Sequence, residues 1–123
     1  MENRRVYIAE EDKSLGDTLK STLKRNGFEV RVFESGYPIV SMMDNWPDLF
    51  LIDIELPDIN GLEICKWLKS HDNSRNIPVI FLSGDSYLKV LAASSHADDY
   101  IEKPVTGHEL IGKIRDVLFT YSN

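Results

Sequence analysis

Four places along this chain carry side chains that could share one reaction: the acidic pair Glu10-Glu11, then Asp53, Ser83 and Lys103. Asp53 is the sharpest of them. It closes the apolar run Leu49-Phe50-Leu51-Ile52 and is followed at once by Ile54-Glu55-Leu56-Pro57. An unpaired carboxylate buried there would cost several kcal/mol or take up a proton. The position makes sense only where Asp53 emerges at an edge and meets a cation. Lys103 offers a compact ammonium, and Ser83 a hydroxyl able to hydrogen-bond an incoming oxygen. Three carboxylates gathered together repel one another. Mg²⁺ resolves that conflict, because it takes oxygen ligands, keeps waters and commonly bridges a carboxylate and a phosphate. A carboxylate nucleophile with cations and donors around it suits phosphoryl transfer, which needs positioning and charge neutralisation above all.

Such groups meet only if the fold brings them to one rim. Strand and helix patterns alternate from end to end. Val6 to Ala9 is a short apolar run that stops at Glu10-Glu11-Asp12. Leu15, Leu19 and Leu23 then mark one face of a helix, closed by Lys24-Arg25 and stopped by Asn26-Gly27. Phe28 to Val32 alternates like a strand. Gly36 to Trp46 reads as a weaker helix, with Pro38 tolerable in its first turn. Asp48 to Asp53 is a third strand, Leu62 to Ser70 a helix, and Pro78 to Leu82 a fourth, buried strand. Tyr87 to Ser95 reads as a helix with Leu88 and Leu91 at helical spacing, and Asp99 to Ile101 as a short fifth strand. Thr106-Gly107-His108-Glu109 is a capping box, and Leu110, Ile114, Val117, Leu118 and Tyr121 form the apolar face of a last helix.

Five strands alternating with five helices imply an α/β fold, a doubly wound parallel sheet covered on both faces in three α/β/α layers. Sites in such sheets form outside the carboxyl ends of the strands. The expected strands end at Glu10-Glu11, at Asp53, at Ser83-Gly84 and just before Lys103-Pro104, so the four places fall on one rim.

The whole chain is consistent with a single domain over residues 1–123, long enough to bury a core without staples. Apolar residues make up 42% and charged residues 28%, ordinary for a soluble globular protein. A net charge of −6 argues against a nucleic-acid-binding surface. The single cysteine, Cys65, excludes an internal disulfide and lacks the partners of a thiolate metal site. Membrane-length apolar stretches and a signal-peptide pattern are both missing, so the expected location is cytoplasmic. His71, His96 and His108 show no ligand spacing.

The motifs resemble the receiver domain of bacterial two-component response regulators, a CheY-like, flavodoxin-like fold. The matching elements are Glu10-Glu11, Asp53 within Asp48 to Gly61, Ser83-Gly84 after Ile77 to Leu82, and Ala97 to Pro104, in order over nearly the whole chain. By that resemblance Asp53 is the phospho-acceptor, supplied by a sensor histidine kinase or a phosphotransfer protein. Glu11 binds Mg²⁺ directly, Glu10 through water, and the backbone carbonyl of Glu55 completes the protein ligands beside Asp53. Ser83 and Lys103 contact the phosphoryl group. Tyr100 matches the switch aromatic, turning inward as Ser83 moves toward the phosphoryl oxygens. Gly61 serves a backbone turn.

The resemblance also implies a signalling domain with self-catalysed phosphotransfer and autodephosphorylation rather than a metabolic enzyme. Its output is a downstream effector domain or protein, or a phosphorylation-dependent homodimer. Glu55 and Asp85 follow the acceptor and Ser83 by two positions each, where carboxylates can orient or repel an attacking water and so tune the phosphorylated state's lifetime.

Two other readings stand beside this one. A degenerate receiver that is never phosphorylated would act purely as a protein-interaction module. The Glu-Glu pair, where aspartate is frequent, and a short stretch between Ser83 and Lys103 favour it. A Toprim-type Mg²⁺-dependent nucleic-acid enzyme would use Glu10 and the Asp53-x-Glu55 doublet but leaves Ser83 and Lys103-Pro104 unexplained. Singly, each site residue has a plainer role: Asp12 as a helix-terminal acid, Ser83 in a turn, Lys103 as a surface charge, Tyr100 and the two tryptophans in packing. Only their joint arrangement argues for a site.

Overall fold

A computed structural model describes residues 4–84 and 96–122. Its strands are β1 (Arg5–Ala9), β2 (Glu29–Phe33), β3 (Leu49–Asp53), β4 (Val79–Ser83) and β5 (Asp99–Glu102). All pair in parallel, in the order β2-β1-β3-β4-β5. After β1 the chain moves outward to β2, then crosses back to β3 on the other side of β1. That reversal is a topological switch point, where parallel sheets open a crevice at their carboxyl ends.

Every residue of β3 and β4 is buried, as expected for strands covered on both faces. Alternate residues feed two apolar clusters. One joins Val6, Ile8, Leu49 and Leu51 to Leu19 and Leu23 of α1 (Lys13–Arg25) and to Ile114 of α4 (Gly107–Ser122). The other joins Tyr7, Phe50, Ile52 and Phe81 to Ile39 of α2 (Tyr37–Val40) and to Ile64 and Leu68 of α3 (Gly61–Lys69). Cys65 lies fully inside this second cluster, and burial pushes its thiol up to about 11. It is a core residue.

Local signals set most of the helix ends. Asp12 caps α1, its Oδ1 accepting the Leu15 amide at 3.1 Å. Gly27 takes a φ of 90°, the left-handed turn that ends the helix at low cost. Thr106 Oγ1 accepts the Glu109 amide at 3.1 Å at the start of α4. The expected helix over Tyr87 to Ser95 lies outside the described residues, as does Asp85. His96 beyond it takes a φ of 61°. Among the described residues no helix is long and apolar enough to cross a membrane.

One element departs from expectation. The helix expected over Gly36 to Trp46 stops after Val40. Ser41 turns its hydroxyl back onto the Tyr37 carbonyl at 2.8 Å, and Asn45 adopts a φ of 56°. Ser41, Asp44 and Asn45 compete with the helix by local hydrogen bonding, and Pro47 pushes Trp46 out of the helical region.

The short α2 has no side-chain cap of its own. Its amides are held instead by Asp58, whose carboxylate accepts Gly36 N and Tyr37 N, both at 2.8 Å. Foremost the Gly36 bond, then those from Tyr37 and Ile59, outweigh desolvation and hold the Asp58 pKa below its ordinary 3.8. An acid lowered on folding stabilises the fold above its unfolded pKa and loses that contribution as pH falls through its folded value. Asp58→Asn should therefore be less stable than the native protein at neutral pH, and the gap should close below pH 3.8. Urea titrations of both proteins across that range check this; a gap independent of pH would remove the role given to the carboxylate.

Candidate functional site

The carboxyl ends of β1, β3, β4 and β5 gather the expected residues. Register sets their level: Ala9 lies opposite Ile52, Asp53 opposite Leu82, and Ser83 opposite Glu102. The next residues along β1 and β5 are Glu10 and Lys103. Backbone bonds hold both in line, Glu10 N to Phe33 O and Lys103 N to Ser83 O, each at 2.9 Å. The Lys103-Pro104 peptide is cis.

Lys103 is the hub. Its Nζ donates to Asp53 Oδ2 at 2.6 Å and stands 3.0 Å from Glu10 Oε1. Both carboxylates are almost wholly buried, Asp53 3% and Glu10 1% exposed. The Glu10 contact is an ion pair without the direction of a hydrogen bond. Glu10 Oε1 is the one buried side-chain oxygen or nitrogen without a hydrogen bond among the described residues. Burial first, and the facing Asp53 carboxylate next, push the Glu10 pKa up; the Asp12 amide and Lys103 oppose them. Burial pulls the Lys103 ammonium down, but the Asp53 and Glu10 carboxylates beside it outweigh that and leave the pKa above its ordinary value. One cation thus faces two buried acids, and Glu10 Oε1 meets it as an ion pair without a hydrogen bond.

The other Asp53 oxygen, Oδ1, accepts the Glu55 amide at 2.8 Å, which fixes the carboxylate plane. Ser83 is buried at the end of β4, beside this pair in the sheet order. Glu11 and Glu55 have exposed side chains at the rim. Of the acidic pair, Glu10 is therefore the member the fold turns inward. Tyr100 is half-buried on β5, its register partner being Phe81, two residues before Ser83. Gly61 has no positive φ; among the described residues Gly27 is the positive-φ glycine. Gly61 opens α3 against the backbone at the end of β3, where an added Cβ would stand 2.6 Å from Asp53 O and 2.7 Å from Ile54 Cα.

The donor set fits a hard divalent cation. Among the described residues no three acidic, histidine or cysteine side chains converge closely enough to hold a metal by themselves. Mg²⁺ asks for less, being commonly held by one or two carboxylates with waters filling its octahedron. Glu10 and Asp53 supply two carboxylates, and Glu10 Oε1, ion-paired to Lys103 but without a hydrogen bond, has acceptor capacity left for a second cation.

Sequence reasoning missed Asp58 and Lys113. Asp58 joins the loop after Asp53 to α2 across 22 positions, and Lys113 on α4 donates to the Tyr100 carbonyl. Neither has a local sequence signal, since both act on partners distant along the chain.

Sheet order and site define a class. The response regulator receiver domain family matches residues 6–115, and this chain belongs to it. It is a receiver domain of the two-component response regulators. Among its relatives, the transcriptional regulatory protein CreB of Escherichia coli K12 is 34% identical over 121 residues, 96% of this chain and 52% of CreB. The chain spans about half the length of the curated relatives it matches. A crystal structure of a putative response regulator from Chloroflexus aurantiacus superposes with a TM-score of 0.90 at 28% identity, covering 95% of this chain and 98% of that one. The receiver domain of the sensor histidine kinase PA1611 from Pseudomonas aeruginosa, described with a magnesium ion in its active-site cleft, shares the fold. Its TM-score is 0.85 at 19% identity, over 95% of this chain and 98% of that domain.

Proposed function

We infer that the domain accepts a phosphoryl group on Asp53 in a Mg²⁺-dependent reaction and that this controls an output surface. The observation that carries the reading is the buried pair of acids, Asp53 and Glu10, sharing the Lys103 ammonium at the switch point of the sheet. Buried charges of this kind gain little stability over apolar side chains of similar volume, so stability alone does not account for the arrangement.

In the reaction an Asp53 carboxylate oxygen forms a bond to phosphorus as the phosphorus–nitrogen bond of a donor phosphohistidine breaks. The imidazole leaves with the bonding pair. The Glu55 amide keeps the carboxylate plane fixed, and Lys103 offsets charge at the acceptor. Ser83 supplies a hydroxyl to a phosphoryl oxygen. Glu10 and Asp53, with Glu11 and the Glu55 carbonyl at the rim, would hold Mg²⁺, which supplies charge neutralisation and alignment of the phosphoryl oxygens. The donor protein would be a sensor histidine kinase or a phosphotransfer protein. The added phosphoryl brings roughly −1.5 to −2 charges to the acceptor. Drawing Ser83 toward it biases β4, β5 and what packs on them between two arrangements.

The test is intact-mass labelling with a small acyl phosphate. With Mg²⁺ the protein should gain one phosphoryl group; without Mg²⁺, or as Asp53→Asn, it should gain none. No gain under any condition would assign the domain to phosphorylation-independent binding. An equal gain in Asp53→Asn would move the acceptor elsewhere.

A further inference from the structure

Lys113 makes three contacts with a single stretch of β5. Its Nζ donates to the Tyr100 carbonyl at 2.6 Å, lies 4.7 Å from the Tyr100 ring centroid, and stands 3.4 Å from Asp99 Oδ1. Asp99 Oδ1 also accepts the Tyr100 amide at 2.8 Å. β5 is an edge strand, so on its outer side side chains take the place of a neighbouring strand. These contacts surround Tyr100 and tie both its backbone groups and its ring to one ammonium and one carboxylate.

The placement crosses the sheet. Ile101 belongs to the apolar cluster beneath α4, together with Ile114. Tyr100 packs in the opposite cluster with Phe81. Lys113 starts from the α4 layer and reaches around the β5 edge to the face of a ring that packs in the other layer. Ser83 shares the face of Phe81, two residues along β4, and Tyr100 is the register partner of Phe81. The ring that Lys113 holds is therefore one step behind the proposed phosphoryl-binding hydroxyl.

We propose that Lys113 is a positioning residue for Tyr100: its ammonium holds the ring at the sheet edge and so sets the balance between that position and an inward one behind Ser83. This rests on the reading of Asp53 as phospho-acceptor and names the contact that resists its consequence. The Asp99 pair contributes little by itself, since both side chains are 28% exposed. The ring contact is the selective part, because an inward turn would break it while the carbonyl bond could persist. Lys113 stabilises the edge position, so its loss favours whichever ligand selects the inward one.

The experiment compares Lys113→Met, which keeps the stem without the charge, with Lys113→Arg, which keeps a cation able to stack on the ring. Beryllofluoride with Mg²⁺ serves as the phosphoryl mimic. Its apparent affinity should rise about two- to fivefold in Lys113→Met, the span expected for losing one partly exposed cation–ring contact. Lys113→Arg should stay near the native value. In the mimic-free protein the Tyr100 ring signals, identified by their loss in Tyr100→Leu, should move in Lys113→Met toward their mimic-bound positions. Equal or weaker mimic binding in Lys113→Met, or unmoved ring signals, would overturn the proposal. If the mimic left even the native spectrum unchanged, the acceptor reading would fail. The mimic-free ring signals would then decide alone, movement in Lys113→Met with restoration in Lys113→Arg supporting the role.

Discussion

Lys103→Met is expected to lose phosphoryl acceptance and a large part of the domain's stability together. The ammonium is 2.6 Å from Asp53 Oδ2 and 3.0 Å from Glu10 Oε1, and nothing else charged positive stands within ion-pair distance of either acid among the described residues. Methionine fills much of the same volume, so packing survives while two buried acids are left facing each other. Removing one partner of a buried ion pair typically costs ~3–5 kcal/mol, because the remaining charge cannot return to water. Lys103 is 28% exposed, which places the expected loss near the lower end, about 3 kcal/mol. The acids can relieve part of it by sharing a proton, so the defect should grow as pH rises and that proton leaves.

Mg²⁺ separates this account from a plain packing defect. A cation that binds only the native state stabilises it in proportion to its concentration over its dissociation constant. With the ammonium gone, added Mg²⁺ should restore more stability to Lys103→Met than it adds to the native protein. Urea unfolding with and without Mg²⁺ measures both. Labelling of the variant should fall by about 10² or more, as when one preorganised charge-stabilising donor is removed from a reacting centre. A variant that unfolds at the native urea midpoint in the absence of Mg²⁺ would show that the two acids do not need the ammonium.

What could be read from the sequence follows from how locally each feature is encoded. Asp53 was legible because a charge at the end of Leu49 to Ile52 has no cheap alternative, and the fold leaves it 3% exposed. The strand order's consequence, one rim shared by Glu10, Asp53, Ser83 and Lys103, followed from alternation of apolar runs and amphipathic stretches. Which of Glu10 and Glu11 turns inward was not legible. That depends on Glu10 continuing the pairing of β1 through its amide bond to Phe33 O, a contact made by a strand elsewhere in the sequence. The length of α2 was misjudged for a related reason. Its apolar spacing continues through Met42, Met43 and Trp46, but the local bonding of Ser41 and the restraint of Pro47 win. Asp58 and Lys113 act across the tertiary fold, on α2 and on the β5 edge, and no spacing in the chain announces either partner.

Gly61→Ala carries the second large effect, and its sign is informative. Gly61 is the first residue of α3, its amide bonded to Ile54 O at 2.8 Å, with Asn60 capping the helix through the Leu62 amide at 2.8 Å. Judged by propensity alone, alanine should gain up to ~1 kcal/mol, chiefly by restricting the unfolded chain. The space forbids it. The new Cβ would lie 2.6 Å from Asp53 O, 2.7 Å from Ile54 Cα and 3.2 Å from Asp53 C. Those are backbone atoms at and just past the end of β3, a strand buried at every residue, where Asp53 lies opposite Leu82 of β4 and Ile54 N donates to Leu82 O at 3.0 Å. They cannot rotate away as a side-chain tip could. Either the start of α3 lifts, breaking the Ile54 bond and straining the Asn60 cap, or the end of β3 moves. Overpacking of this kind costs ~1–3 kcal/mol, and a rigid backbone neighbour puts the expectation at a net loss of about 2 kcal/mol after the propensity gain. Displacing the strand end also shifts the Asp53 carboxylate against the Glu55 amide and Lys103, so phosphoryl labelling should slow beyond what partial unfolding explains. Urea midpoints together with labelling rates at full foldedness measure the two parts separately. A Gly61→Ala protein more stable than the native one would show that α3 can yield, and that the glycine is not what sets the distance between the helix and Asp53.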